Sequence, residues 1–452
     1  MLNKFILLLS IYLSSFSFLL SFEGDTHDFY LSNGLKVILQ ESHSFPRIAV
    51  NITYDIGSHD DPVGKKGLTN VMGYLMWQGS ENYKKDEHYI LIEETGGRAS
   101  HNKWDIIDYL AFRNTTTIDY YDLMLKLEAD RMRSLVINAE TVAHAKDVAI
   151  YELEDLKTKP WLNLHEAISS FWPQDHPYAS LGGFGTISDI QNISIEDCKI
   201  AYENYFTPNN AVLVVVGDID PINSLEIINK YFGRIKPSNN IPVNPDLSFQ
   251  IQPSNKLRTL QFGLGHRQYI RAYSIPTMRN NDSIILELLS NILRAKSSPL
   301  KQAIEIDEKF AIESWTWVDN RLGDSFFLFN VISNKYAPIR KSQKAVSDFI
   351  KKLKKNGLEE KYLNIAKKKL LREQMYHNYW TAQIAGQLAE FELIYGDYHK
   401  YTDQLELVKD ISNEDIKRVA NQYFINEIEI EMQPETNNII KKIGYSIYYA
   451  IF

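Results

Sequence analysis

The sequence predicts an α+β protein built from two related domains in tandem. The first observation is a repeat. Ser194-x-Glu196-Asp197-x-Lys199 leads to Tyr205-Phe206, and Ser412-x-Glu414-Asp415-x-Lys417 leads to Tyr423-Phe424, with every matched pair offset by 218 positions. In each copy the serine and the acid three residues later form a capping-box signature for a helix start. The second observation is that a strand follows both copies, Ala211–Val216 and Ile428–Met432. A helix cap alone would be coincidence, and the spacing matched through Tyr-Phe argues duplication. The third is the segment from Pro237 to Gln252, polar, proline-bearing and aperiodic, which reads as the linker. The expected domains are residues 24–236 and 253–436, joined by 237–252.

The elements follow in order. Lys36–Gln40 reads as a strand. From Arg47 to Ile56 the chain alternates, with Ile48, Val50, Ile52, Tyr54 and Ile56 on one side and Ala49, Asn51, Thr53 and Asp55 on the other, the signature of a half-buried strand. A polar turn through Asp61-Pro62 and Gly64 opens a helix near Gly67-Leu68. Asp86–Glu94 is expected to be helical and to stop at Gly96-Gly97. A strand pair is expected at Asp105–Tyr109 and Ala111–Asn114, then helices over Asp119–Leu135 and Ala139 to about Lys157. Ala211–Val216 is a continuous apolar run, as in a strand buried on both faces, and a helix follows over Pro221–Phe232. The second half repeats this grammar: a strand near Leu260–Leu264, a helix through Ile285, Leu288, Leu289 and Ile292, strands at Ser314–Trp317 and Phe326–Ile332, and long helices at Ile339–Leu353 and Glu359–Tyr376.

Composition bounds the function. At 452 residues and 44% hydrophobic, the chain can bury two or more substantial cores. A net charge of −8 leaves no basic footprint and argues against a nucleic-acid partner. The single cysteine, Cys198, excludes intrachain disulfides and multi-cysteine metal sites and reads as a small core residue. Residues 1–22 carry Lys4 and then an apolar run from Phe5 to about Phe22, a secretory signal that places the body outside the cytoplasm, in the periplasm or an equivalent compartment. An uncleaved anchor is the alternative, since roughly 18 apolar residues can span a bilayer. Residues 437–452 form an apolar tail of unassigned role.

Several motifs stand in a fixed order: Gly57-Ser58, Gly64-Lys65-x-Gly67-Leu68, Gly79-Ser80-x-x-Tyr83, Glu93-Glu94-x-Gly96-Gly97, Glu128-Ala129-Asp130-Arg131-Met132, His176-Pro177-Tyr178, Pro208-Asn209-Asn210-Ala211 and Val215-Val216-Gly217-Asp218. Together they resemble the pitrilysin/insulinase metallopeptidases, which include the mitochondrial processing peptidase. The resemblance covers essentially the whole chain after the signal. It implies the processing-peptidase-like metallohydrolase fold, in which each domain is an antiparallel sheet packed against helices. It also implies that two such chains, or one double-length chain, close around a chamber holding a peptide.

The family's helix carries H-x-x-E-H, two histidines on one face with a glutamate between them as general base. A downstream glutamate completes three zinc ligands and leaves one position for water. This chain has Asn70 and Tyr74 at the histidine positions and Gly73 at the base. Only Glu152 matches a ligand, and Ala145 stands where the family has a supporting acid. Losing two of three ligands exceeds the roughly 10–100-fold cost of disturbing a supporting partner, and losing the base costs roughly 10²–10⁴-fold in rate. None of the eleven histidines lies three to five residues from another. The family's substrate-holding Arg and Tyr fall at Glu305 and Ile312. Ser100, His101 and Asn102 lie where the family presents a peptide-binding strand, with a plain surface hairpin as the alternative, and Glu152 also reads as an exposed or ion-paired helix residue.

The expectation is therefore a catalytically inactive homologue without a bound cofactor, acting as partner or scaffold for a zinc-bearing relative or for a second copy of itself, and binding peptides or that partner. The rival expectation is an active peptidase with an unconventional zinc site.

Overall fold

The computed structural model describes residues 25–434, apart from 103–105, 158, 160–161, 174, 180–182, 244, 249–257, 263–265, 334–336 and 378–379. The expected signal at 1–22, the tail at 437–452 and the end of the linker lie outside the described residues.

The first half contains strands β1 (Thr26–Tyr30), β2 (Lys36–Glu41), β3 (Arg47–Tyr54), β4 (Arg98–His101), β5 (Leu110–Thr117) and β6 (Ala211–Gly217). Its helices are α1 (Leu68–Leu75), α2 (Glu87–Glu94), α3 (Tyr121–Ser134), α4 (Ala139–Lys157), α5 (Leu162–Ser169), α6 (Ile187–Asn192), α7 (Ile195–Tyr205) and α8 (Pro221–Phe232). The second half contains β7 (Arg258–Phe262), β8 (Arg267–Ile275), β9 (Ala311–Asp319), β10 (Ser325–Ser333) and β11 (Ile428–Pro434). With these run α9 (Asn281–Arg294), α10 (Ile339–Asn356), α11 (Glu360–His377), α12 (Thr381–Tyr395), α13 (Lys400–Asp410) and α14 (Asn413–Tyr423).

The duplication read from residue spacing is a duplication of topology. The first sheet runs β1-β2-β6-β3-β5-β4 and the second β7-β11-β8-β10-β9, so the second repeats the last five positions of the first. Each sheet has one parallel pair at the same place, β2 with β6 and β7 with β11, and the remaining neighbours are antiparallel. Both repeat motifs are capping boxes at helix starts: Ser194 Oγ accepts from Asp197 N on α7, and Ser412 Oγ accepts from Asp415 N on α14.

Two expectations change. The strand pair is formed by β4 and β5, not by Asp105–Tyr109, because residues 106–108 make the turn entering β5. The alternation of β3 does not mark a half-buried strand, since Ala49, Asn51 and Thr53 are as buried as Ile48, Val50 and Ile52. The reason is α12, which comes from the second half. Its Ile384, Ala385, Leu388 and Ala389 pack on Ile38, Ala49, Val212, Val214 and Val216 of the first sheet. The arrangement is reciprocal. Ala167 and Ile168 of α5, with Phe171, Trp172 and Tyr178 beyond it, pack on Ile270, Phe326, Leu328, Ile430 and Met432 of the second sheet. Since α5 follows α4 and α12 follows α11, the two exchanged helices hold the same place in the repeat. Fully burying a leucine or isoleucine side chain contributes roughly 1.5–3 kcal/mol, so each exchanged helix is a substantial part of the core it covers.

Candidate functional site

Helix α1 is buried along its entire length. Its start is built by residues before it. Gly67 precedes the helix at φ 94°, and a Cβ there would meet the carbonyl oxygen of Phe184 at 2.5 Å, so glycine is required twice over. With no side chain at that position to cap the helix, Asp61 reaches in. Its carboxylate accepts from Gly67 N at 2.7 Å, Thr69 N at 2.9 Å and Thr69 Oγ at 2.6 Å. Burial outweighs the opposing pull of these donors and leaves the Asp61 carboxyl raised to about 7. Lys65 pairs with Asp197 of the α7 capping box, which ties the repeat motif to the loop feeding α1.

The motif positions of α1 then meet three neighbours. Tyr74 Oη donates to Glu152 Oε2 on α4. Burial, and then the bond to Glu152, hold the phenol proton well above its ordinary range. Gly73 faces the ring of His101 on β4, where an added Cβ would lie 3.3 Å from Cδ2 and 3.4 Å from Nε2. The imidazole therefore stands in the space that a general-base side chain would enter. His101 is held there by Trp77, whose Nε1–H donates to His101 Nδ1 at 3.2 Å, and by edge-to-face packing on Tyr74 at 5.5 Å. Accepting at Nδ1 places the proton of a neutral imidazole on Nε2. Asn70 is fully buried, and neither end of its carboxamide has a hydrogen-bond partner among the described residues.

Zinc does not fit this donor set. Tyr74 keeps its proton when a ligand would have to lose it, Asn70 offers only a neutral amide, and Ala145 is fully buried where the family has an acid. Among the described residues no group of three or more His, Cys, Asp or Glu is arranged to hold a metal ion. Glu152 is half-buried, and its carboxylate accepts from the tyrosine at the position where the resemblance places a metal-binding histidine.

The other motifs serve the frame. Glu128 and Arg131 form a buried pair, Asn114 donates to Glu128, and the guanidinium lies 4.0 Å from the Phe112 ring and 4.7 Å from that of Trp77. Asp130 accepts from Ser80 and Asn82, joining Gly79-Ser80 to the same helix. His88 lies in this layer, 3.8 Å from Glu128, and burial followed by repulsion from Arg131 holds its pKa well below the ordinary value. Tyr178 of His-Pro-Tyr joins the two halves. It donates to Asp108 at 2.8 Å and accepts from Gly323 N at 2.9 Å, while Arg321 stacks over its ring at 4.9 Å and over Trp172 at 5.1 Å.

Of the peptide-facing candidates, Ser100 is exposed on β4, the edge strand of the first sheet. Asn102 is spent within the hairpin, donating to Tyr109 O at 2.9 Å and accepting from Ala111 N at 2.6 Å. Glu305 turns onto β9, accepting from Ser314 N at 2.5 Å and Ser314 Oγ at 2.7 Å, with Lys301 3.3 Å away. Ile312 is 54% exposed on the same strand. Sequence reasoning placed Asn70, Gly73, Tyr74 and Glu152 together, but it did not bring His101 to Gly73. The missing side chain at position 73 was the available signal.

Two models of one family match the chain, Insulinase (Peptidase family M16) over residues 36–180 and Peptidase M16 inactive domain over residues 192–370. The chain is 24% identical over 406 residues to the zinc protease PqqE of Helicobacter pylori, covering 87% of this chain and 89% of that one. It is 20% identical to the probable zinc protease PqqL of Haemophilus influenzae, covering 89% of this chain but 45% of the relative, so it spans less than half of that protein. Among solved structures, a protease from Helicobacter pylori superposes with a TM-score of 0.82 at 23% identity, over 91% of this chain and all of the other. A peptidase M16 inactive domain from Pseudomonas fluorescens superposes with a TM-score of 0.77 at 17% identity, over 91% and 98% of the two chains. With both halves matched by models of one family, and with the fold its solved members share, the chain belongs to the insulinase (M16) peptidase family.

Proposed function

We propose that this chain is a catalytically inactive M16 homologue, acting outside the cytoplasm as a partner or scaffold subunit. Its partner is a zinc-bearing relative or a second copy of itself, and it holds a peptide or that partner. The bond from Tyr74 to Glu152 carries this reading. It joins two of the positions that would otherwise converge on zinc, and a phenol that keeps its proton cannot replace a histidine. The position of His101 against Gly73 supports it, because the general base has neither a side chain nor an empty place to act from. The binding role is supported by β4, a sheet edge open to strand addition. Export is supported by the charged and apolar start of the sequence.

The test uses the purified full-length chain. Metal analysis is expected to find no stoichiometric zinc, and a peptide-cleavage assay no metal-dependent turnover. Affinity purification from the native host is expected to recover a zinc-bearing relative or a dimer of this chain. Stoichiometric zinc lost on Glu152→Ala would overturn the inactive reading, and a strict monomer that binds neither peptide nor relative would overturn the partner role.

A further inference from the structure

The net charge of −8 hides an uneven surface. Residues 339–377, which form α10 and α11, hold 12 lysines and arginines against four acidic residues, a local +8 that leaves −16 on the rest of the chain. The two helices sort these charges outward. On α10, Ser342, Val346, Phe349, Ile350 and Leu353 turn inward, so Lys341, Lys344, Lys351, Lys352 and Lys355 fall on the opposite side. On α11, Leu363 and Ala366 turn inward, and Lys361, Ile365, Lys368 and Arg372 follow one another at helical spacing on the outer side. Both inner sides join one core with Phe327, Phe329 and Val331 of β10, so the two outer sides belong to one layer, on the face of the second sheet opposite α5. Part of the charge is answered locally: Lys344 pairs with Asp348, Lys361 with Glu359 and Lys369 with Glu373. Lys341, Lys351, Lys352, Lys355, Lys368 and Arg372 are exposed, and none makes a side-chain hydrogen bond or salt bridge among the described residues. Among them stands Ile365, 63% exposed, with Lys361, Lys368 and Lys369 one helical turn away.

We propose that the outer face of α10 and α11 docks the protein on the anionic surface of a lipid bilayer. Each Lys or Arg brought near such a surface strengthens binding about fivefold, and the attraction fades beyond a Debye length of roughly 10 Å at 0.1 M salt. The negative remainder of the chain is repelled by the same surface, so one orientation is selected. Ile365 separates a bilayer from other polyanions. A bilayer offers it the boundary between headgroups and acyl chains, whereas an acidic protein or a nucleic acid answers the lysines and leaves the isoleucine in water. The apolar run at residues 5–22, read as a signal or as an anchor, would bring the chain to a bilayer in either case.

Vesicle flotation of the full-length chain tests this. One set of vesicles is pure phosphatidylcholine, and the other mixes it with phosphatidylglycerol at about two to one. Any insertion of the apolar start adds equally to both sets, so the ratio between them reports the charged face. Partition onto the anionic set is expected to be at least about tenfold stronger at low salt, and the excess to vanish at about 0.5 M NaCl. The triple variant Lys351→Gln, Lys352→Gln, Lys355→Gln is expected to cut the preference at least about fivefold with an unchanged circular-dichroism melt. A second triple variant, Lys84→Gln, Lys199→Gln, Lys236→Gln, changes net charge equally at exposed lysines of the first half and should keep the preference. A polarity-sensitive dye on Ile365→Cys, with Cys198 buried, should shift to the blue on anionic vesicles and not on polyglutamate. Equal partition onto both sets, equal loss in both triple variants, or no dye shift on anionic vesicles would overturn the proposal. Binding to polyglutamate in place of the anionic vesicles would assign the face to an acidic protein and overturn it as well.

Discussion

Replacing Tyr74 by phenylalanine removes one oxygen atom and isolates the interaction on which the functional reading turns. The ring stays buried in the first-half core, so packing is conserved and the change is confined to the donor of Glu152. A hydrogen bond to a charged group contributes about 1.5–3 kcal/mol, and Tyr74→Phe should cost that much at neutral pH. Glu152→Ala leaves the phenol without its acceptor and should cost a similar amount. The double variant should lose less than the sum of the singles, with a coupling of about 1–2 kcal/mol, because each single change already abolishes the same bond. Urea unfolding followed by circular dichroism measures all four proteins, once with a chelator and once with excess zinc. Zinc should leave the wild-type transition unmoved, since a ligand stabilises only a state that it binds. A coupling near zero would mean that the bond contributes nothing, and a zinc-dependent rise lost in both single variants would mean that these residues bind metal after all.

Other perturbations address the frame. Asp61→Ala strips the start of α1 of its acceptor and leaves buried N–H groups at Gly67 and Thr69, at a cost of about 2–4 kcal/mol in urea unfolding. His88 is held neutral in the folded state and takes up a proton on unfolding below its ordinary pKa, so stability is retained above about 6.5 and lost on acidification, by up to about 1.4 kcal/mol per pH unit. His88→Leu should flatten that slope in a series of unfolding curves across this range. Restoring the motif with Asn70→His, Gly73→Glu and Tyr74→His should give weak zinc uptake, because Glu at 73 runs into His101, and adding His101→Ala should tighten it, as read by competition with a chromogenic chelator.

Much of the fold was legible because its signals are local. The capping boxes at Ser194 and Ser412, the apolar run of β6 and the limits of α4 and α8 rest on neighbouring residues and stand where expected. What escaped is set by distant packing. Alternation along β3 implied a wet face because nothing in residues 47–56 announces a helix arriving from residue 381 onward. The helix carries its own trace: Ile384, Ala385, Leu388 and Ala389 on one side with Phe391 and Ile394 on another give it apolar residues most of the way round, the pattern of a helix covered on more than one side. At the site, the lost ligands were readable residue by residue. The arrival of His101 at Gly73 depends on how β4 pairs with β5, with His101 opposite Phe112, and on Trp77 anchoring the ring.

The exchange of α5 and α12 gives the protein a material property that neither half has alone. Each half carries the cover of the other, so the peptide joining them is not what holds them together. A chain cut between residues 237 and 243 would remain one particle, its pieces interlocked by two apolar faces and by Tyr178, Asp108 and Arg321 at the seam. The same exchange sets a limit on separation. Drawing the halves apart would bare a face of both sheets at once, so the clasp yields completely or not at all, and the surroundings of α1 share the fate of residues in the opposite half.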